Sequence, residues 1–292
     1  MKLVVLGATG QLGAELVAQA RRQGLEAVGR GSDLEVTDRA AVEAALDAAR
    51  PELVINTTAY HVVPDCEAHP ERAFAVNAAA VKVLAELCSA RRIAFATYST
   101  DYVFDGRKGE PYVEDDGPHP LQTYGVSKYA GELLCALFDP RAVVIRTCGV
   151  YGGRTGSRSK KGNFVLTILR DAETRPELEV SGEQVVNPTY AADLAAASLA
   201  LLRLRPEGGI YHLANEGSCS WAEFASTIVE RAGKSMKIIP VDRGGQSGAV
   251  RRPRFSALAN ARARSLGVVL PHWRDGLERY LSALSVPANP EP

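Results

Sequence analysis

Short apolar runs alternate with segments of helical periodicity over the first half of the chain. The run Lys2 to Leu6 leads into the glycine-rich stretch GATGQLG, after which Leu12, Leu16 and Ala20 recur at helical spacing. Continuing in this way, the pattern predicts further strands at 25–29, 53–56, 93–98 and 142–146, and helices at about 38–49, 70–90 and 123–138. Strands separated by helices are typical of a parallel, doubly wound sheet.

The alternation loosens after residue 150. The segment 152–162 is basic and rich in small residues, which predicts a loop, whereas 189–204 is helical in pattern. We therefore expect an α/β protein with a Rossmann-type doubly wound parallel sheet and a smaller C-terminal substrate-binding lobe. The predicted nucleotide-binding domain covers 1–150, with 187–205 returning to it, and the lobe covers 151–186 and 206–292.

Composition narrows the class of protein. The 292 residues include 34 basic and 34 acidic side chains, so the net charge is zero and nothing indicates a nucleic-acid partner. No run of about 18 apolar residues is evident, and we expect no membrane span. The five cysteines are odd in number and scattered, which favours free thiols in a reducing cytoplasm over disulfides or a zinc site.

Three glycines follow the first predicted strand. Gly7, Gly10 and Gly13 are spaced GxxGxxG, and they open the first predicted helix. Glycines at such a turn let backbone N–H groups approach a pyrophosphate, while the helix N-terminus favours negative charge. The sequence therefore predicts a dinucleotide site, and a tight turn without a ligand is the alternative.

The end of the second predicted strand bears on the choice of cofactor. A carboxylate at this place would hold the adenosine ribose, but the sequence has Arg30, which suits a 2′-phosphate. We therefore predict NADP as cofactor, with NAD also possible. A solvated surface arginine is the alternative for Arg30.

Two chemically active side chains lie four residues apart. Tyr124 and Lys128 share one face of a predicted helix, where the ammonium would favour ionisation of the phenol. The polar cluster that contains Thr100 and Asp101 ends a predicted strand, at the sheet edge where ligands of such folds bind. We predict that Thr100, Tyr124 and Lys128 are catalytic, with proton transfer through the phenol.

Longer segments carry a resemblance that runs nearly end to end. They are GATGQLG at the start, VINTTAY at 54–60, YSTDYVFDG at 98–106, YGVSKYAGE at 124–132, NPTYAADLA at 187–195, YHLANEGSCSWAEFA at 211–225, RRPRFSALAN and LGVVLPHWRDGL. With these segments the chain resembles the dTDP-4-dehydrorhamnose reductases, a family of extended short-chain dehydrogenases/reductases. YSTDYVFDG and YHLANEGSCSW are the more specific parts, since the glycine turn and the Tyr-x-x-x-Lys pair indicate only the superfamily.

The resemblance implies reduction of the 4-keto group of a nucleotide-linked 6-deoxy sugar, above all dTDP-4-dehydro-L-rhamnose. Tyr124 would protonate the carbonyl oxygen, Lys128 would tune Tyr124 and hold the nicotinamide ribose, and Thr100 would hydrogen-bond the same oxygen. Further cofactor contacts are implied for Gly10, Gln11 and Leu12 at the pyrophosphate, Glu35 and Val36 at the adenine, and Thr58, Ala59 and Tyr60 between them. Substrate contacts are implied for Asp101, Asn163 and Arg252.

The chain departs from the family pattern near the sugar. A tryptophan is usual after the Arg-Thr strand, but Gly149 stands there, which predicts a wider sugar pocket. Glu35 replaces the usual aspartate beside the adenine. Some relatives hold Mg²⁺ between subunits, and Glu15 matches one such place; a solvated helix face is the alternative, and the spacing of possible ligands predicts no metal site.

Two other kinds of function stay open at this point. A regulatory subunit could keep the fold and bind NADP without turnover, as the methionine adenosyltransferase β-subunit does, but the complete set of Thr100, Tyr124 and Lys128 argues against it. An epimerase or dehydratase would recycle its cofactor. Dehydratases usually have an acidic pair beside the threonine, whereas Asp101 is followed by Tyr102. A homodimer is possible.

Overall fold

A computed structural model describes residues 1–153, 162–247 and 250–285. Of the predicted basic loop 152–162, residues 154–161 lie outside the described residues. The strands are β1 (Lys2–Leu6), β2 (Glu26–Arg30), β3 (Leu53–Asn56), β4 (Ala94–Thr100), β5 (Val143–Thr147), β6 (Val150–Tyr151), β7 (Glu177–Ser181), β8 (Val185–Val186), β9 (Thr189–Tyr190), β10 (Gly209–His212), β11 (Cys219–Ser220), β12 (Lys237–Val241), β13 (Gln246–Ser247) and β14 (Val250–Arg251).

The helices connect these strands. They are α1 (Gln11–Arg22), α2 (Arg39–Ala49), α3 (Val63–Ala68), α4 (Pro70–Phe74), α5 (Ala80–Ala90), α6 (Thr123–Phe138), α7 (Phe164–Asp171), α8 (Ala191–Arg203), α9 (Trp221–Arg231), α10 (Ala261–Ser265) and α11 (Trp273–Ser285). A π-helical turn, Ala75–Ala79, joins α4 to α5, and a 3₁₀ turn, Asp101–Val103, follows β4.

The main sheet is parallel and has the strand order β10-β5-β4-β3-β1-β2. Successive side chains of a strand point to opposite faces, and β1 supplies both cores of the sheet. Leu3 and Val5 pack under α1 and α8, whereas Val4 and Leu6 pack on the opposite side with α2 and α5. The predicted Rossmann-type fold is confirmed. Buried faces on both sides explain why the strands read as nearly continuous apolar runs.

One strand of the predicted lobe segment pairs with the main sheet. The sequence assigns 206–292 to the smaller lobe, but β10 pairs in parallel with β5 at the edge of the main sheet. This edge strand is short and partly exposed, so its weak apolar pattern resembles that of a lobe strand. The predicted return of 187–205 agrees with α8, which packs on α1 in one core of the main sheet.

A further apolar cluster lies mainly in the segments predicted as the smaller lobe. It joins α7, α9 and α11 around the aromatic side chains Tyr151, Phe224, Trp273 and Tyr280, and β7 pairs there with β12. This cluster is distinct from the two cores of the main sheet, to which β1, β3 and β4 belong. The division between lobe and nucleotide-binding domain stays a prediction.

One helical stretch of the described residues, Pro70–Arg91, is long and apolar enough to cross a membrane by length and composition. The sequence predicts no such run. The stretch includes the π-helical turn and α5, and its side chains Val81, Leu84 and Leu87 are buried against the main sheet. Half of its most apolar window is buried, as in the core helix of an α/β protein.

Candidate active site

The turn after β1 is shaped to accept an anion. Gly7 has a φ of 80°, and a Cβ on Gly13 would collide with the carbonyl oxygen of Gly7, so both glycines serve the close packing of turn and helix. Gly10 precedes α1 and provides no side-chain cap. The N–H groups of the first turn of α1 are therefore available to a negatively charged ligand.

The next two residues differ in role. Leu12 packs against the core of the main sheet. The side-chain oxygen of Gln11 accepts hydrogen bonds from the backbone nitrogen of Gly152 at 3.0 Å and from Nδ2 of Asn163 at 3.1 Å. Backbone contact with a pyrophosphate stays a prediction for both residues, and the Gln11 side chain links the glycine turn to the smaller lobe.

Asn163 is engaged with protein groups. It caps α7 by accepting from the backbone nitrogen of Leu166 at 3.0 Å, and its amide lies 2.9 Å from the hydroxyl of Tyr280. The residue is buried. A substrate contact stays a prediction for Asn163, and it requires some of these hydrogen bonds to open.

The adenosine end of the predicted cofactor path is exposed. Arg30 lies at the end of β2, as predicted, but its guanidinium pairs with the carboxylate of Asp33 at 3.1 Å. Asp33 also accepts from the backbone nitrogen of Gly31, and this bond holds the pKa of the carboxyl below its usual value. Sequence reasoning missed Asp33. The residue lies three positions after the end of β2, and only the turn that follows the strand brings its side chain back to Arg30.

The two residues predicted near adenine have separate environments. Val36 is buried in a core cluster of the main sheet. Glu35 is exposed, and its carboxylate accepts from the backbone nitrogen and the hydroxyl of Thr37 at 3.1 and 2.9 Å. Contact with adenine therefore stays a prediction, with only Glu35 open to solvent.

The segment after β3 is the part predicted to line the middle of the cofactor path. Thr58 donates its hydroxyl hydrogen bond to the Asn56 side chain at 2.6 Å, and Ala59 and Tyr60 follow with partly exposed side chains. The backbone nitrogen and oxygen of Tyr60 are both bound by Asn77, each at 2.9 Å.

Asn77 is a member of the site that sequence reasoning missed. It lies in the π-helical turn, is buried, and donates to the hydroxyl of Ser127 at 3.0 Å on α6. Its side chain thereby joins the loop after β3 to the helix that carries Tyr124 and Lys128. A polar residue inside an otherwise apolar helix was the available indication.

Thr100 and Asp101 end β4 and are buried together. The Thr100 hydroxyl donates to the Asp101 carboxylate at 3.0 Å, and Ser256 donates to the same carboxylate at 2.5 Å. Burial raises the pKa of Asp101 from its usual value, while these hydrogen bonds oppose the shift. The acidic side chain is thus occupied by protein donors in this state.

Tyr124 lies at the start of α6 and faces Thr100. Burial raises the pKa of the phenol above its usual value, and hydrogen bonding with Thr100 opposes the shift. This direction is opposite to the expectation that Lys128 lowers the pKa of Tyr124, because loss of solvent is the largest cause of the shift. A phenol of raised pKa stays protonated near neutral pH and is able to act as an acid.

Lys128 is 4% exposed, one turn further along α6. Burial lowers its pKa to about 8, and the charge of Glu132 on the following turn opposes this. Glu132 is held by both Nε and Nη2 of Arg146, at 2.9 and 2.7 Å. Among the described residues no side chain forms an ion pair with Lys128, which leaves its ammonium available to a ligand.

Gly149 has a backbone conformation that the sequence does not reveal. Its φ is 55°, and a Cβ there would lie 3.0 Å from the carbonyl oxygen of Asn187. A tryptophan at this position would be strained in this backbone. A wider sugar pocket stays a prediction, but restoring the aromatic side chain at residue 149 is not a clean test of it.

Arg252 directly follows β14 and reaches Tyr102, the second residue after Thr100. Its guanidinium donates to the hydroxyl of Tyr102 at 3.3 Å. Tyr102 in turn packs edge-on against Tyr124, with ring centroids 6.0 Å apart. Tyr102 was not singled out from the sequence, since it reads as part of an aromatic loop.

Glu15 is the cation ligand that the family resemblance suggests. Glu15 lies 3.9 Å from Arg22, and burial raises the pKa of its carboxyl. In the described ranges, no group of three His, Cys, Asp or Glu side chains is placed to hold a metal ion. The prediction of Mg²⁺ at Glu15 is therefore not supported.

A parallel six-stranded sheet, a glycine turn before α1, and a set of Thr100 at the end of β4 with Tyr124 and Lys128 on α6 define an extended short-chain dehydrogenase/reductase. The RmlD substrate-binding domain family matches residues 1–286, and the chain belongs to this family.

Relatives of known name agree with the assignment. The chain is 37% identical over 295 residues to a dTDP-4-dehydrorhamnose reductase of Mycobacterium tuberculosis, covering 99% of this chain and 94% of that protein. It is 36% identical over 285 residues to the spore coat polysaccharide biosynthesis protein SpsK of Bacillus subtilis, covering 97% and 98%. A Bacillus anthracis dTDP-4-dehydrorhamnose reductase in complex with NADP superposes with a TM-score of 0.89 at 31% identity, covering 97% and 99%.

Proposed function

We propose that this protein reduces the 4-keto group of a nucleotide-linked 6-deoxy sugar with NADPH or NADH, converting dTDP-4-dehydro-L-rhamnose to dTDP-L-rhamnose. The observation that carries the proposal is the juxtaposition of the buried Thr100, at the end of β4, with Tyr124 and the buried Lys128 of α6, in a chain of the RmlD family. Full-length relatives named dTDP-4-dehydrorhamnose reductase support the choice of sugar.

The site residues fit a nicotinamide dinucleotide. Among the described residues, a Cβ on Gly10 would meet only the carbonyl oxygen of Gly7, at 3.2 Å, so the outer side of the turn leaves room for a pyrophosphate. Arg30 suits a 2′-phosphate, although Asp33 now neutralises it. Lys128, without an ion-pair partner in the described chain, would hold the nicotinamide ribose. When bound, the reduced cofactor would supply the hydride for C4 of the sugar.

The protein's own side chains would supply the proton that the reduced sugar oxygen takes up. Tyr124 keeps its proton near neutral pH because burial raises its pKa, and it would donate that proton to the sugar oxygen. Thr100 would stabilise the same oxygen, turning its hydroxyl from Asp101 to the substrate. Lys128 would supply positive charge beneath the phenol as the proton leaves.

The test is oxidation of NADPH and NADH by the purified chain against a panel of nucleotide 4-keto-6-deoxy sugars. We expect turnover of dTDP-4-dehydro-L-rhamnose, recorded as loss of absorbance of the reduced cofactor and identified by analysis of the sugar product. NADPH binding without oxidation for any sugar would contradict the proposal and favour the regulatory subunit. Sugar conversion without net cofactor oxidation would indicate an epimerase.

A further inference from the structure

Arg252 carries a charge that no group of the described residues balances. Its Nε atom is buried and has no hydrogen-bond partner, and its only neighbouring acceptor in the described residues is the neutral hydroxyl of Tyr102. No carboxylate of the described chain forms an ion pair with it. Arg254, two residues further along, differs in this respect, because it pairs with Asp242 at 2.7 Å.

A partly buried guanidinium without a counter-ion is unfavourable, and an anionic ligand would offset that cost. Arginine presents several N–H donors in a planar fork that matches two phosphate oxygens. The position of Arg252 near Tyr102 and Tyr124 places this fork at the substrate end of the site. The chemistry therefore suits the diphosphate of a nucleotide sugar.

Tyr102 connects this arginine to the proton donor. Its hydroxyl accepts from Arg252, while its ring meets the ring of Tyr124 at an angle of 74°. Its backbone oxygen fits against Gly125, where a Cβ would collide with it, so the residue is fixed under the first turn of α6. Burial raises the pKa of Tyr102 to about 12, which keeps its hydroxyl neutral.

Two further contacts hold the loop after β4 against the segment that follows Arg252. Ser256 donates to Asp101, and Gly106, with a φ of 77°, allows the loop after β4 to lie directly against Pro253. The backbone next to Arg252 is therefore held by the Gly106–Pro253 contact and by the Ser256–Asp101 hydrogen bond. Its guanidinium is then oriented by the Tyr102 hydroxyl.

Building on the proposed function, we propose that Tyr102 is a positioning residue with two effects. Its hydroxyl orients Arg252 toward the diphosphate of the nucleotide sugar, and its ring holds the ring of Tyr124. Diphosphate recognition and the placement of the proton donor then share one side chain.

The test separates the two effects. Tyr102→Phe removes only the hydroxyl, so we expect the Kd for thymidine diphosphate and the KM for the nucleotide sugar to rise about 2- to 10-fold, with kcat nearly unchanged. Tyr102→Leu also removes the ring and should lower kcat in addition. Arg252→Met should weaken thymidine diphosphate about 10- to 100-fold. Thymidine, which lacks the phosphates, should bind equally to all variants.

Tyr112→Phe is the matched control, because the hydroxyl of Tyr112 bonds to Asp105 rather than to an arginine. Calorimetric titration measures binding without turnover, and the Phe variant carries the test even if the Leu variant does not fold. Unchanged thymidine diphosphate affinity in either Tyr102→Phe or Arg252→Met would overturn the proposal. Wild-type protein that binds thymidine diphosphate normally but reduces no keto sugar would instead overturn the proposed function alone.

Discussion

Two arginine–carboxylate pairs lie at opposite ends of the proposed cofactor path and differ in their burial and in their number of hydrogen bonds. Arg146 and Glu132 form a two-fold hydrogen-bonded pair between β5 and α6, and both side chains are 3% exposed. Arg30 and Asp33 form a single contact at 3.1 Å, with 40% and 54% of their side chains exposed. The first pair lies one turn beyond Lys128, and the second lies where the adenosine ribose is expected.

The comparison shows how the fold separates chemistry from cofactor choice. A buried pair cannot lose one partner without leaving an uncompensated charge, so it fixes α6 relative to the sheet. An exposed pair is screened by water and exchanges readily for another ion. The helix that carries Tyr124 and Lys128 is therefore held rigidly, whereas Arg30 is able to leave Asp33 for a phosphate.

The largest effect on activity is expected at the end of the path that lies near the buried Arg146–Glu132 pair. Tyr124→Phe keeps the ring that packs on Tyr102 and removes the acid, so kcat should fall by roughly 10²- to 10⁴-fold. NADPH affinity, measured by fluorescence titration, should stay close to that of the wild type. A Phe variant with near wild-type turnover would show that another group donates the proton.

The buried pair itself is testable by stability. Glu132→Gln leaves the Arg146 charge without a partner and should lower the free energy of unfolding by about 3–5 kcal/mol. Thermal unfolding monitored by circular dichroism would record this as a clear fall in Tm. The matched control, Asp33→Asn, should leave Tm unchanged. The double variant Glu132→Leu/Arg146→Met should regain much of the lost Tm, because it leaves no unpaired charge. Equal Tm values for wild type and Glu132→Gln would refute the stated difference between the buried and the exposed pair.

A pH dependence follows from Lys128. Because its pKa is about 8, the ammonium is charged below that pH and becomes neutral above it. NADPH affinity should therefore weaken as the pH rises through 8, by about 10- to 100-fold if the charge binds the cofactor directly. Lys128→Arg keeps the positive charge over this pH range, so the decline of NADPH affinity above pH 8 should disappear in that variant. The same decline in the Arg variant would assign it to another group.

The smallest effect is expected at the exposed end. Arg30→Ala should weaken NADPH about 2- to 5-fold and leave NADH nearly unchanged, because only NADPH has a 2′-phosphate. Asp33→Asn frees Arg30 and should shift the preference toward NADPH. Comparing the Kd values of both cofactors for the three proteins is the measurement, and equal losses for NADPH and NADH would indicate a structural role for Arg30.

Periodicity predicted the buried elements well. The bounds of β3 and α6 agree with the pattern of apolar residues, because both elements are packed along their whole length. Thr100, Tyr124 and Lys128 were predictable for the same reason, since strand ends and helix faces fix where such side chains lie. The edge strand β10 was missed, because it is only partly buried and carries little pattern.

Contacts between distant segments could not be predicted. Arg252 meets Tyr102 across 150 residues, and Ser256 meets Asp101 across 155. Their pairing depends on how the lobe returns to the sheet, which no local pattern records. Asp33 is close in sequence to Arg30, yet their contact depends on the conformation of a turn rather than on strand or helix spacing.

The π-helical turn between α4 and α5 has a consequence for changes in chain length. Each residue of a helix advances the side chains by roughly 100° around its axis. A π turn closes through i→i+5 bonds and so holds one residue more than an α turn. Deleting one residue between Ala75 and Ala79 would therefore close the turn to α-helical geometry, leaving Val81 and Leu84 facing the core but displacing Asn77 from Tyr60 and Ser127. The extra residue of this turn thus serves the contacts of Asn77 rather than the packing of α5 on the sheet.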